Sequence, residues 1–258
     1  MLKELTRADW LAFLDLVEDR VPPILIMRGT RNLRAHYERY AVRFDDVLPV
    51  GSPNGLFEDI FIGRHRGIDV GYASVYGGPM ASEIAHLFAV LGTKLIVQTG
   101  VCGGLGDGIL AGDLVIPTSA GCGDGASQCY LPGVRAVAAS PDLVRWAMDA
   151  PGTGEPRHAG PIWTTAALLA EGAVELETWH GEGFLAVDME TASSFAVAEA
   201  FGMRRLSIFN NPRHGSHLAM TETDKTAARI RGEDAVFALL VALIESGARP
   251  TSPDARRT

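Results

Sequence analysis

Residues 183–211 read GFLAVDMETASSFAVAEAFGMRRLSIFNN, two short apolar runs on either side of a helical pattern. An apolar run of four or five residues bounded by turn residues has to be buried on both faces, which makes strand, helix, strand the natural reading and an α/β sheet the natural setting. The first strand covers residues 184–187. Asp188 then puts a carboxylate where a helix begins, and Met189, Ala192, Phe195, Ala196 and Ala198 follow at roughly helical spacing. Gly202 stops that helix, and residues 206–209 form the second strand, closed by Asn210, Asn211 and the breaker Pro212. Ligands of open α/β sheets gather beyond the carboxyl ends of strands. Asp188, Glu190, Asn210 and Asn211 are therefore expected to project from neighbouring strand ends towards one cleft. The same residues also suit an N-capping Asp, a solvent-facing Glu and turn asparagines.

The remaining pattern fits one domain. Thr6 caps a first helix expected to run to Arg20, residues 24–27 are a strand, and the glycine turn at Gly29 leads into a basic helix. Arg28, Arg31, Arg34 and Arg39 there suit either anion binding or a solvated helix face. Residues 57–63 and 68–75 read as a hairpin around the turn of Arg64, His65, Arg66 and Gly67. Gly77 and Gly78 release the chain into a helix reaching Val90, with Pro79 in its first turn. Residues 95–98 form a buried strand, and residues 99–108 a glycine-rich loop without the dinucleotide or P-loop pattern. Further strands are expected at 114–117 and 158–162, the latter leading to Trp163, whose ring could stack on a flat ligand or serve the core. Helices are expected at 141–148, 166–177 and 221–246, the last burying Ile230, Ala235, Phe237, Leu240, Val241 and Ile244.

With 258 residues and 47% hydrophobic content the chain can bury a full core. Its net charge of −8 argues against a nucleic-acid surface, which needs clustered Lys and Arg. Cys102, Cys122 and Cys129 form no CxxC pair, so a reduced, cytoplasmic setting follows. Residues 1–21 are an amphipathic helical segment without a signal-peptide core, and no stretch approaches the ~18 apolar residues of a membrane span. Residues 22–246 form the domain, and residues 247–258 have the composition of a disordered tail.

The motifs YGGPMAS, VQTGVCGGL followed by GDLVIP, DGASQCYLP and VDMETA make the chain resemble the nucleoside phosphorylase superfamily. The branch is that of uridine phosphorylase, hexameric purine nucleoside phosphorylase and the methylthioadenosine nucleosidases, and the match runs from about residue 24 to 244. The resemblance implies a single α/β domain with a twisted, partly barrel-like mixed sheet and helices on both faces. It also implies a dimer-based homo-oligomer, up to a hexamer, acting on a small-molecule nucleoside. It implies no cofactor or metal, phosphate being a possible co-substrate.

Cleaving an N-glycosidic bond builds positive charge on the ribose and negative charge on the departing base, so a site must hold the sugar hydroxyls and stabilise the base. By the resemblance Glu190 accepts the ribose hydroxyls and Met189 lies on the sugar. Asn211 serves the leaving base, joined by Arg213, Trp163 and Asp188, and the base leans towards a pyrimidine or 6-oxo ring. The acceptor side comprises Gly29, Arg31, Gln98, Thr99, Gly100 and Val101. Gln98 and Val101 stand where phosphorylases of the family carry a phosphate-binding Arg and a Ser or Thr. Arg31 or Arg34 would have to serve in the RGTRN turn, and Gly55 and Leu56 occupy the place of a neighbour-subunit Arg. QTGVCGG is similar to NTGSAGG of the water-using nucleosidases, which place a catalytic Asp after the last strand where this chain has none. Phosphorolysis, hydrolysis and binding without turnover are the three readings that follow.

Overall fold

The computed structural model describes residues 2–51, 57–152, 154–211 and 222–247. Arg213, Gly55, Leu56 and all of the expected tail except Gly247 lie outside them. In chain order, α1 (Arg7–Phe13) precedes β1 (Ile24–Gly29), α2 (Leu33–Ala41), β2 (Asp45–Pro49), β3 (Ile60–His65), β4 (Ile68–Val75), α3 (Gly77–Leu91), β5 (Leu95–Val101) and the short β6 (Gly103–Gly104). Then come β7 (Leu114–Gly123), β8 (Ala136–Ala138), α4 (Pro141–Asp149), β9 (Arg157–Thr165), α5 (Ala173–Gly181), β10 (Ala186–Asp188), α6 (Thr191–Ala200), β11 (Arg204–Asn210) and α7 (Glu222–Glu245).

One mixed sheet carries the fold, in the order β2-β3-β4-β1-β5-β11-β7-β9-β10-β6, with β8 against β7. The run Ile24, Leu25, Ile26, Met27 shows why β1 is central. Ile24 and Ile26 belong to a core with Tyr40, Tyr72 and Val97, while Leu25 and Met27 belong to a second core with Ile84, Phe88 and Val197. Each fully buried side chain of this size contributes roughly 1.5–3 kcal/mol, and a strand alternating into two cores has no solvent face to spare. The sheet is mixed and flanked by helices, as the resemblance implies, and it does not close into a barrel.

The placement of β10 departs from the expected pair of neighbouring strand ends. β5 and β11 are parallel, β11 and β7 antiparallel, and β7, β9 and β10 parallel, so β10 and β11 are separated by two strands. β10 instead meets the continuation of β5: Ala186 pairs with Gly104 and Val187 with Gly103, antiparallel. The chain leaving β10 therefore runs back alongside β5 towards Gly100, which delivers Glu190 to the end of β1.

Several boundaries also move. The first helix ends at Phe13, with only a 3-10 turn at Glu18–Arg20. The helix expected at 166–177 is a 3-10 turn, Leu168–Ala170, followed by α5. β7 extends six residues beyond the expected strand because Gly121 and Gly123 leave room for the Trp163 ring, which a Cβ at either would meet at 2.4 Å. On α7 the buried face is Ala228, Ala235, Val236, Leu239, Leu240, Leu243 and Ile244, while Ile230 is 52% exposed.

Candidate functional site

Glu190 stands immediately before α6 and is buried. Its Oε1 accepts the N–H of Gly77, the first residue of α3, at 2.7 Å. Its Oε2 lies against Gly29, where a Cβ would come within 2.5 Å of it and within 3.3 Å of Gln98 Nε2. Three expected site residues, Glu190, Gly29 and Gln98, thus meet at the end of β1, and Gly100 adjoins them, since a Cβ there would stand 3.1 Å from Gly29 O. Burial, reinforced by the negative Asp188 nearby, pushes the Glu190 carboxyl up to about 8; the Gly77 N–H and the Arg28 guanidinium oppose that rise.

Asp188 is occupied by the protein itself. Oδ1 accepts from Thr164 Oγ1 at 2.7 Å, and Oδ2 accepts from the backbone N–H groups of Glu190 and Thr191 at 3.2 and 2.8 Å and from Thr191 Oγ1. The carboxylate thereby satisfies N–H groups that α6 would leave open, and burial still raises its pKa. Its geometry is that of a cap orienting Glu190 rather than a contact for a base.

The acceptor side is polar and underpaired. Gln98 Nε2 donates to Thr99 O at 3.2 Å, while Gln98 Oε1 and Thr99 Oγ1 are buried without a hydrogen-bond partner among the described residues. An unpaired buried polar atom costs about 1–3 kcal/mol; Gln98 lies on the Glu190 side of the sheet, whereas Thr99, in register with Arg28, turns its hydroxyl to the opposite side. Val101 is 40% exposed and offers no polar atom. Arg31 is exposed, its guanidinium 5.4 Å from the ring centre of Tyr76, the residue before Gly77. It is a cation at the rim near the Gly77 contact. Arg34 turns away, pairing with Glu38 and Asp59.

Asn211 is buried, with Nδ2 donating to Leu110 O and Oδ1 accepting the Gly104 N–H, both at 3.2 Å. It holds the loop after β6, with Val101, Cys102 and Gly103 between that anchor and the Gly100 end of the site. Asn210 faces α7, donating to Arg229 O at 3.2 Å. Met189 is half-buried between the two acids. Trp163 does not join this group: it stacks on Trp179 at 5.8 Å and meets Phe184 edge-on at 5.3 Å, on the opposite face of β9 from Thr164 and Asp188.

Sequence reasoning missed the Gly77 N–H, Thr164 and the burial of Arg28. The glycine pair in YGGP was the available signal for the first. The other two depend on strand pairing and on α7, which no local pattern encodes. Among the described residues no group of three His, Cys, Asp or Glu side chains could hold a metal ion, and no helix is long and apolar enough to cross a membrane.

The sequence profile of the phosphorylase superfamily matches residues 23–245. The chain is 31% identical over 132 residues to a guanosine phosphorylase of Halorubrum lacusprofundi, covering 50% of this chain and 54% of that protein, so it spans about half of that relative. It is 28% identical over 200 residues to a DeoD-type purine nucleoside phosphorylase of Myxococcus xanthus, covering 74% of this chain and 80% of the relative. A crystal structure of uridine phosphorylase from Vibrio fischeri ES114 shares the fold, with a TM-score of 0.74 at 21% identity over 88% of this chain and 94% of that one. With a profile match spanning both sheet halves and α7, the chain belongs to the nucleoside phosphorylase superfamily, a family of pentosyltransferase-type enzymes.

Proposed function

We propose that this protein cleaves the N-glycosidic bond of a nucleoside by phosphorolysis, with Glu190 as the carboxylate that grips the ribose. The observation that carries the reading is the meeting of Glu190 with Gly29, Gly77 and Gln98 at the end of β1. The Gly77 N–H fixes one carboxylate oxygen and leaves its second lone pair, together with the other oxygen, for sugar hydroxyls. Hydroxyl donors favour the ionised form, so substrate binding works against the burial that raises the Glu190 pKa. The resulting anion then sits beside the positive charge that grows on the ribose as the bond breaks. Met189 covers the sugar. Asn211 with Arg213 serves the leaving base, a pyrimidine or 6-oxo ring, and Asp188 acts on it only through Glu190. On the acceptor side the backbone of Gly29, Thr99 and Gly100, together with Arg31, receives phosphate.

One observation favours hydrolysis as a second reading. Gln98 presents a neutral amide with an unpaired oxygen and Val101 has no donor, a poor seat for a dianion but an adequate one for water. Base release from a panel of purine and pyrimidine nucleosides, with and without inorganic phosphate, decides between them. Strict phosphate dependence supports phosphorolysis, equal rates without phosphate select hydrolysis, and binding without base release refutes both. The reading also carries a dimer-based homo-oligomer in a reduced, cytoplasmic setting, which light scattering and cell fractionation test.

A further inference from the structure

Arg28 is the residue before Gly29 on β1, and only 2% of its side chain is exposed. On β1 its side chain alternates with that of Met27, which places it on the α2 and α7 side of the sheet, away from Gln98 and Glu190. Nη2 donates to Glu233 Oε1 of α7 at 3.0 Å, and the other oxygen of Glu233 pairs with Arg39 of α2. The same turn of α7 grips β11: Arg229 O accepts from Asn210, and a Cβ on Gly232 would lie 2.6 Å from the Asn210 Cβ. Residues 229–233 therefore clamp the ends of both strands that lead into the site. A deeply buried cation is expensive, and an apolar side chain of similar volume would ordinarily stabilise as much or more. Arg28 Nε is moreover left without a partner among the described residues, as are its ladder neighbour Thr99 Oγ1 and Asn210 Oδ1.

We propose that Arg28, locked by Glu233, is a positioning residue for the glycosidic site: it fixes the end of β1 so that Gly29 stays against Glu190, and it holds a permanent positive charge within range of that carboxylate. The proposal rests on the reading of Glu190 as the sugar-binding group. Glu190 has Asp188 of β10 beside it and accepts the Gly77 N–H of α3, while the Arg28 charge acts on it from the other side of β1. Arg28 in turn faces Glu233 of α7, His36 and Tyr40 of α2, and Tyr72 of β4, while Arg39 shares Glu233 and both Arg39 and Arg229 act on His36. His36 is pushed down to about 4 by burial and the Arg28 charge, so it stays neutral at neutral pH and does not obscure the Glu190 titration.

The test reads the Glu190 titration without substrate, from the pH dependence of unfolding free energy in each protein minus that in its Glu190→Gln counterpart. Arg28→Met removes the cation and should move the midpoint up by at least half a pH unit (on the order of 0.7 kcal/mol). Glu233→Gln removes the neighbouring anion and should move it down, while Arg28→Lys, which keeps the charge, should leave it near the wild-type position. A tether with no electrostatic role would instead lower stability in both variants without opposite shifts. Midpoints that move together, or not at all, overturn the proposal, and Glu233→Gln with Arg28→Lys carry the test should Arg28→Met not fold. In a wild type that turns over nucleoside, Arg28→Lys should lower kcat more than tenfold with KM changed less than threefold. A wild type without nucleoside turnover would sink the functional reading, whereas the substrate-free midpoints would still judge the charge.

Discussion

Replacing Gly29 with alanine tests the site most directly. The backbone there is not left-handed, so any effect comes from the added methyl and not from strain. That methyl would stand 2.5 Å from Glu190 Oε2 and 2.9 Å from its Cδ, whereas ordinary contact begins near 3.4 Å, so the carboxylate must retreat by about 0.9 Å. It has little room to do so, because Oε1 is tied to the Gly77 N–H at 2.7 Å and the side chain is buried. Overpacking of this kind costs about 1–3 kcal/mol, and each kcal/mol lowers Tm by roughly 2–4 °C in a chain of this size. A misplacement near 1 Å costs on the order of 100-fold in rate. Calorimetry should therefore show a lower Tm, and steady-state assay on a turned-over nucleoside a kcat/KM reduced about 100-fold. Gly181→Ala is the control, since a Cβ there meets nothing within 4 Å. Wild-type kcat/KM and Tm in Gly29→Ala would mean that Glu190 does not lie against β1, and the site as described would be wrong.

The raised Glu190 pKa has a thermodynamic sign. With its ordinary value of 4.5 in the unfolded chain and about 8 in the fold, its contribution to stability is fully present below 4.5 and is lost as pH rises through 8. At roughly 1.4 kcal/mol per unit, urea unfolding should show wild type losing several kcal/mol relative to Glu190→Gln between pH 5 and 8.5, and parallel curves would refute the burial argument. Asp188→Asn should cost at least ~2 kcal/mol by weakening hydrogen bonds to a charged cap. A changed nucleoside KM at unchanged Tm would instead return Asp188 to the base.

The strands that alternate between two cores, β1 and β5, were legible because short unbroken apolar runs such as ILIM and LIV call for burial on both faces. The capping alternative for Asp188 was legible for a local reason, as a capping residue must lie within a few positions of the N–H groups it serves, whereas its assignment to the base came from the resemblance. What was not legible is the direction in which β10 meets β5, because that pairing joins residues more than eighty positions apart. The expectation that Glu190 and the asparagines project from neighbouring strand ends failed on this point, although Glu190 still arrives beside Gly29. The expected strand at 114–117 stopped short of Gly121 and Gly123 because nothing local shows that the Trp163 ring occupies the space their side chains would need. Ile230 was misjudged since helical spacing gives the width of a face but not its orientation, and α5, with no buried residue at all, carried no periodic signal to read.

The stretch 95–104 acts as a common spine, taking β11 along its first part and β10 along its last. Only two paired positions join β10 to that spine, so very little backbone sets how far the MET triplet travels before it turns into α6. Losing a single residue between α5 and β10 would swap inner for outer along the whole strand, exchanging the surroundings of Asp188 with those of Val187. Lineages descended from such a chain are thus free to vary the outer face of α5, but the length of the connection behind it is as constrained as any side chain in the cleft.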